Sequence, residues 1–145
     1  GSEMCIRDRS HRWDDWNLRV VNTRHTVQNL GLRLEAGSPT KVFCYSGDGM
    51  FTPTASKLYT NADLLVHEAY TSDGTVKNPR GETVTIGTKT HCSLQQLERL
   101  DDMARPKKMA LIHLNRKLRE EKKDILKKYR QRRWIMPDAG EVIEL

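Results

Sequence analysis

Short apolar runs that stop at a histidine or an aspartate recur along this chain, and they constrain its fold more than any other feature. Runs of this kind precede four polar residues: His25, Asp48, His67 and His113. Signals for a helix start follow at Thr52-Pro53 and at Ser93. β-rich segments that alternate with helical segments are typical of α/β folds. We therefore predict an α/β chain in which strand ends bring distant polar residues to one edge of a sheet.

Local patterns give the approximate elements. Strands are predicted at 18–22, 30–34, 41–45, 63–66, 109–114 and 141–145. Residues 36–40 read as a hairpin connection, and residues 71–90, rich in Gly, Thr and Asn, as a long loop that is either a functional lid or partly disordered. Ser93 and Gln96 form a capping-box pattern for a helix that ends before Pro106, and residues 118–129 are spaced as an exposed amphipathic helix.

Size and cysteine content indicate a single domain. The chain has 145 residues, no apolar run approaching a membrane span and no signal-peptide pattern at its start. Its three cysteines are an odd number and form no CxxC pair. We therefore expect no disulfide framework, a reducing cytoplasmic location and no membrane partner, with Cys44 as a small core residue.

The first residues do not read as part of the fold. Gly1-Ser2 looks like a cloning scar, and residues 4–9 resemble translated sequencing-adapter sequence from metagenomic assemblies. We expect residues 1–12 to be a non-native or disordered leader, the domain to span 13–145, and the natural start to lie upstream. Trp13 and Trp16 flank an acidic pair and are predicted to pack in the fold.

Positive charge is concentrated near the C-terminus. The net charge is +6, and thirteen Lys or Arg against three acidic residues fall between Arg105 and Arg133. A basic helix at about 117–133 could attract phosphate or nucleic acid. Its charges lie all round the predicted helix and only Tyr129 and Trp134 are close aromatic neighbours, so the pattern favours a solvated face.

Asp48 and two histidines are candidate metal ligands. Asp48 stands between two glycines at a predicted strand end, a pattern that alone favours a tight turn. His25 and His113 each follow a β-rich run, and either alone is typical of a hydrogen-bonded structural histidine. Imidazole and carboxylate are ligands of zinc, so the three residues at one inferred edge favour a metal site together.

His67, Glu68 and His91 are candidates for proton handling. A glutamate beside a histidine can orient and charge the imidazole, which can then protonate a leaving oxygen or bind a phosphate. His91 and Ser93 stand at a predicted helix N-terminus, where anions bind readily. In the alternative interpretation, Glu68 pairs with a lysine or an arginine at the surface.

Taken in order, these segments resemble the C-terminal half of the metallo-β-lactamase superfamily, closest to its ribonuclease Z branch. The His-Glu-Ala-Tyr run at 67–70 resembles that branch's His-Glu-Ala-Thr loop, with Tyr70 in place of threonine. The remaining matching segments are His25 to Arg33, Tyr45 to Asp48, His91 to Ser93, Leu111 to His113 with Arg116, and Pro137 to Gly140.

The resemblance implies half of a four-layer αβ/βα sandwich, a β-sheet with flanking helices, that holds up to two Zn²⁺ ions when complete. His25, Asp48 and His113 would be the metal ligands, with Asp48 bridging. Glu68 and His91, next to His67, would assist the leaving group while metal-bound hydroxide hydrolyses a phosphodiester or another ester. His91, Ser93 and Arg116 would contact phosphate.

Two departures from the family pattern shape the expected function. The first metal motif, His-x-His-x-Asp-His, is absent from the sequence, so we expect one weak zinc site or none and little or no activity in the isolated chain. His25 and Asp48 are too close in sequence to leave room for the tRNA-gripping arm that some relatives insert between them.

The absence of the first half would leave an apolar sheet face exposed, and from this we predict a homodimer. The alternative function is a non-catalytic module that binds phosphate or nucleic acid through its basic helix.

Overall fold

The computed structural model describes residues 9–86 and 90–145, which form a mixed sheet flanked by helices. The strands are β1 (Arg9–Trp13), β2 (Trp16–Thr23), β3 (Asn29–Ala36), β4 (Lys41–Tyr45), β5 (Leu64–Glu68), β6 (Thr75–Lys77), β7 (Thr83–Thr85), β8 (Met109–Ile112) and β9 (Trp134–Ile135). The helices are α1 (Pro53–Leu58), α2 (Leu94–Ala104), α3 (Arg116–Glu120) and α4 (Lys122–Lys128), followed by a 3₁₀ turn at Arg130–Arg132. None of the helices in this described part is long and apolar enough to cross a membrane.

The main sheet has the strand order β1-β2-β3-β4-β5-β8-β9. Strands β1 to β4 pair antiparallel, whereas β4, β5, β8 and β9 pair parallel. The parallel register places Tyr45 beside Val66 and Glu68 beside Ile112. The carboxyl ends of β4, β5 and β8 therefore lie at one edge of the sheet, as the sequence predicted.

Two capped helices begin where the sequence indicated. The Thr52 side chain accepts a hydrogen bond from the Ala55 N–H at 3.1 Å, and Pro53 occupies the first turn of α1. Ser93 and Gln96 form the reciprocal capping box of α2. These caps satisfy N–H groups that a helix start leaves without partners, so they fix where each helix begins.

The sheet has one covered and one partly open face. Val21, Cys44 and Leu65 are buried on the face that packs against α1 and α2, and Cys44 is the core residue that was expected. Alternation along the strands sends the neighbouring side chains to the opposite face. Five apolar residues of β2, β3 and β4 on that face are only partly buried: Leu18, Val20, Leu32, Leu34 and Phe43. We call these five residues the open face.

Three element predictions near the C-terminus and in the long loop are wrong. Residues 141–145 form no strand and pair with no strand of the sheet, and Val142 is 84% exposed; β9 is the last strand instead. The helix predicted at 118–129 is interrupted at Glu121, although its apolar residues Leu118, Ile125 and Tyr129 are buried as expected. Residues 71–90 contain the β6–β7 hairpin rather than a structureless loop, with 87–89 outside the described residues.

The N-terminal hairpin also differs from expectation. Residues 9–12 of the expected leader form most of β1, which pairs with β2; residues 1–8 lie outside the described part. Trp13 and Trp16 were predicted to pack but are 55% and 51% exposed. They face each other across the tip of this hairpin, where every residue of β1 is exposed, so no core surface reaches them.

Candidate metal centre

Five polar side chains approach one another at the carboxyl edge of β4, β5 and β8. Asp48 follows β4, Glu68 ends β5 and His113 follows β8. His25 follows β2, and a pair of backbone hydrogen bonds between Arg24 and Met50, at 2.8 and 2.9 Å, ties its loop to the Asp48 loop. His91 lies three residues before α2. Residues from five distant parts of the chain thus meet because of the strand order.

Asp48 lies at the centre of this group. Its Oδ1 is 2.6 Å from His113 Nδ1 and 4.0 Å from His91 Nδ1, whereas its Oδ2 is 3.8 Å from His25 Nε2. The two carboxylate oxygens therefore face different histidines. The turn and the metal-ligand interpretations of this residue are compatible, because Asp48 sits in a turn and its side chain points into the group.

The glycine before Asp48 is required by geometry. Gly47 has φ +66°, and a Cβ there would come within 2.6 Å of the Asn29 side chain and 2.7 Å of the Leu30 carbonyl. The Asn29 side chain also accepts a hydrogen bond from the Asp48 N–H at 3.1 Å. Close approach of β3 to this turn therefore holds Asp48 in place.

Glu68 is fully buried at the bottom of the group. Its Oε1 accepts a short hydrogen bond from the Cys92 N–H, whereas its Oε2 has no hydrogen-bond partner and lies 3.5 Å from His91 Nδ1 and 3.9 Å from His113 Nδ1. The surface ion pair considered for Glu68 is therefore absent from the described contacts. Burial, reinforced by the Asp48 charge, raises the pKa of Glu68 to about 8.

The surroundings of His91 lower its pKa. Loss of solvent is the main cause that lowers its pKa; the Asp48 charge opposes this effect, and the other two histidines add to it. Burial thus disfavours the charged form of both groups, since it raises the pKa of Glu68 and lowers that of His91.

His67 faces the opposite side of the sheet from Glu68. It is fully buried, its Nδ1–H donates to the Glu68 carbonyl at 2.8 Å, and its ring meets Phe51 and Tyr59 edge to face with centroids 6.1 Å apart. Burial lowers its pKa to about 4. Successive side chains of a strand alternate between faces, so β5 delivers only Glu68 to the group.

The two remaining predicted phosphate contacts are engaged elsewhere. The Ser93 hydroxyl accepts the Gln96 N–H at 3.2 Å as the cap of α2, and the residue is buried. The Arg116 side chain is 89% exposed and pairs with Glu120 at 2.7 Å, one helical turn away. Neither side chain has a described contact with Asp48, Glu68 or the histidines.

Tyr70 is a residue of this site that sequence reasoning missed. Its ring stacks on His91, with centroids 4.8 Å apart at 27°, and leans on His113, with centroids 5.5 Å apart at 36°. The available signal was its position directly after His67-Glu68-Ala69, where it replaces the threonine of the resembled loop.

The donor set fits a metal ion. One ligand atom each from Asp48, Glu68, His91 and His113 lies within 4.8 Å of the other three. Glu68 Oε2 and His91 Nδ1 are buried without hydrogen-bond partners, a costly arrangement that a cation would relieve. His25 lies beside these four, next to the second oxygen of Asp48. Imidazole nitrogens with carboxylate oxygens are an appropriate ligand set for zinc.

Comparisons with known proteins give structural matches only. No protein-family model matches the sequence, and no curated protein matches it. Among solved structures, the short form of human tRNase Z is 19% identical with a TM-score of 0.61 over 79% of this chain and 42% of that one. The metallo-β-lactamase fold protein YhfI from Bacillus subtilis is 19% identical with a TM-score of 0.58, over 81% of this chain and 46% of that one.

A third match extends over nearly the whole chain. The isothiocyanate hydrolase from Delia radicum gut bacteria is 13% identical with a TM-score of 0.66, over 95% of this chain and 57% of that one. The chain thus spans roughly half the length of these structures. The chain therefore has part of the metallo-β-lactamase fold, which confirms the α/β class and the fold that the resemblance of its ordered motifs implied.

Proposed function

We propose that this chain is part of a zinc-dependent hydrolase of the ribonuclease Z-like branch, acting on a phosphodiester or another ester. The observation that supports this proposal most is the approach of Asp48, Glu68, His91 and His113 within 4.8 Å at the edge of a metallo-β-lactamase-type sheet. Matching structures with the names tRNase Z and diphosphatase make phosphoester chemistry the first class to test.

The proposed roles follow from the neighbours of the two Asp48 carboxylate oxygens. His25, Asp48 and His113 would hold the metal; one Asp48 oxygen lies toward His25 and the other toward His113. A zinc ion held there would supply a Lewis acid and a nucleophile at neutral pH. Glu68 and His91, 3.5 Å apart, move the proton that the leaving oxygen needs when its bond to the phosphorus or carbonyl carbon breaks. His67, turned into the core, positions β5 and has no part in this transfer.

A model-substrate assay on two matched variants tests these roles. Zinc-loaded protein should hydrolyse bis(4-nitrophenyl) phosphate slowly, since the sequence lacks the first metal motif, and a chelator should stop the reaction. Glu68→Gln should abolish the rate while zinc content stays unchanged, whereas Glu144→Gln, at an exposed position, should change neither. A rate that survives the chelator would contradict metal dependence, and loss of zinc from Glu68→Gln would make Glu68 a ligand.

We also propose that the open face forms a homodimer contact. Its five apolar residues are only partly buried, and the matching structures contain about twice as much chain. A second copy would bury these side chains and add the second layer of a sandwich. Sedimentation should show a dimer that Leu32→Glu dissociates, while Arg99→Glu, at an exposed position of α2 on the other side of the sheet, leaves it intact. A wild-type monomer at high concentration would contradict the proposal.

A phosphate- or nucleic-acid-binding module remains the alternative function. A surface hollow of about 860 Å³ is lined by Lys127, Lys128, Arg130 and Arg132 among others. Arg132 is already paired with Asp101 and Asp102 at 3.0 and 2.7 Å, which reduces the free positive charge there. The alternative predicts binding of single-stranded RNA that persists in chelator, falls steeply with salt and weakens in Lys127→Glu.

A further inference from the structure

Tyr70 covers two candidate metal-site histidines with one aromatic face. The three ring centroids form a triangle, with separations of 4.8 Å from Tyr70 to His91, 5.5 Å from Tyr70 to His113 and 5.4 Å between the histidines. Tyr70 is itself partly exposed, so its ring lies between solvent and these two histidines. None of the roles proposed above uses this residue.

The Tyr70 main chain also joins the two loops that bear these histidines. Its N–H donates to the Cys92 carbonyl at 2.9 Å, one residue after His91. Its carbonyl accepts the Asn115 N–H at 3.4 Å, two residues after His113. Movement of either loop would therefore shift the Tyr70 ring relative to the other histidine.

His113 needs such a neighbour more than His91 does. It has φ +53°, directly after β8, and its side chain is 44% exposed, compared with 21% for His91. A half-exposed imidazole samples several rotamers unless a contact selects one. The Tyr70 ring lies 5.5 Å from this imidazole and the Asp48 Oδ1 lies 2.6 Å from its Nδ1, so two contacts keep the Nδ1 directed into the group.

We propose that Tyr70 is a positioning residue that stacks on His91 and His113; it holds the His113 imidazole in the orientation that binds the metal and the His91 imidazole beside Glu68, and this inference rests on the proposed metal site. The action is through the ring face, so phenylalanine should replace it. Groups that orient metal ligands typically change metal affinity by about 10- to 100-fold when they are removed. Tyr70→Ala should weaken zinc binding by about that factor without changing the stoichiometry.

The first test measures zinc affinity by competition with a chromophoric chelator. Wild type and Tyr70→Phe should agree within about twofold, and Tyr70→Ala should be about 10- to 100-fold weaker. Trp16→Ala is the matched control, since it removes an exposed aromatic ring far from the site. Thermal unfolding of the metal-free variants checks that each is folded. Equal affinity in Tyr70→Ala, or equal weakening in Tyr70→Phe, would overturn the proposal.

A second measurement does not depend on metal. In long-range ¹H–¹⁵N spectra of metal-free protein, the carbon-bound imidazole protons of His91 should be shifted upfield by the stacked Tyr70 ring. The shift should persist in Tyr70→Phe and disappear in Tyr70→Ala. An unchanged His91 spectrum in Tyr70→Ala would overturn the positioning role itself. Intact ring-current shifts with no zinc bound to wild type would instead count against the metal site and thus against the hydrolase proposal.

Discussion

Acid should destabilise this fold through one buried histidine, His67. The residue is fully buried and its pKa is lowered to about 4 from an ordinary value of 6.5. As pH falls through 6.5, the unfolded chain takes up a proton on His67 that the folded chain does not. This proton uptake favours the unfolded chain, so the His67 contribution lowers the free energy of unfolding as pH falls from 6.5 toward 4.

The expected size of this effect follows from the shift. Each unit of pKa difference corresponds to about 1.4 kcal/mol, so the full loss below pH 4 is about 3 kcal/mol. Two-thirds of it, about 2 kcal/mol, should already be lost by pH 5. Glu68 acts in the opposite sense, because its pKa is raised from 4.5 to about 8 in the folded chain. As pH falls from 8 to 4.5, the folded chain takes up a proton on Glu68 that the unfolded chain does not, so the free energy of unfolding rises.

A matched variant separates His67 from every other titrating group. His67→Asn keeps a side-chain N–H near the Nδ1 position, which donates to the Glu68 carbonyl, but it cannot titrate. Urea unfolding of metal-free protein at pH 7, 6 and 5 gives the free energy of unfolding for both proteins. From pH 7 to pH 5, the free energy of unfolding of wild type should fall by about 2 kcal/mol relative to that of His67→Asn. The same pH dependence in the two proteins would show that His67 is protonated in the folded state.

Three further experiments, on Gly47, on Ser93 and on the cysteine thiols, test other parts of the structure. Gly47→Ala should cost about 2 kcal/mol or more in urea unfolding, because of its positive φ and the atoms 2.6–2.7 Å from the added Cβ. Gly81→Ala, with positive φ but open space, should cost less, and equal costs would refute the close-approach argument. Ser93→Ala should lower the free energy of unfolding by about 1 kcal/mol through loss of the α2 cap; an unchanged value would show that the cap contributes nothing. The thiols of Cys44 and Cys92 should resist iodoacetamide at pH 8 in folded protein, because burial raises the pKa of both, that of Cys44 to about 12; rapid alkylation before unfolding would contradict this.

Local signals predicted the helix starts and most strands of the sheet correctly. Thr52-Pro53 and the Ser93–Gln96 capping box depend on contacts within a few residues, so the sequence alone is informative. The wrong predictions concern segments whose structure depends on distant partners. Residues 141–145 have the composition of a strand but find no edge to pair with, and the short Trp134–Ile135 segment pairs with β8 instead.

The candidate site shows the same division. The positions of the predicted strand ends indicated that Asp48 and His113 would meet, and Asp48 Oδ1 lies 2.6 Å from His113 Nδ1. The sequence did not indicate which of two adjacent residues would face the site: in β5, Glu68 faces the site and His67 faces the core. The stacking of Tyr70 depends on the relative positions of two loops, which no local pattern specifies.

Native mass spectrometry of zinc-supplemented protein tests the central claim most directly, because it reports metal ions per chain and oligomeric state together. Wild type should bind zinc, and Asp48→Ala should lose it while remaining folded, because the Asp48 carboxylate approaches all three site histidines. Exposed Asp73, replaced by alanine, provides the matched control and should leave zinc binding unchanged. A wild-type chain without zinc, or Asp48→Ala with its full complement, would contradict a metal centre at this edge of the sheet.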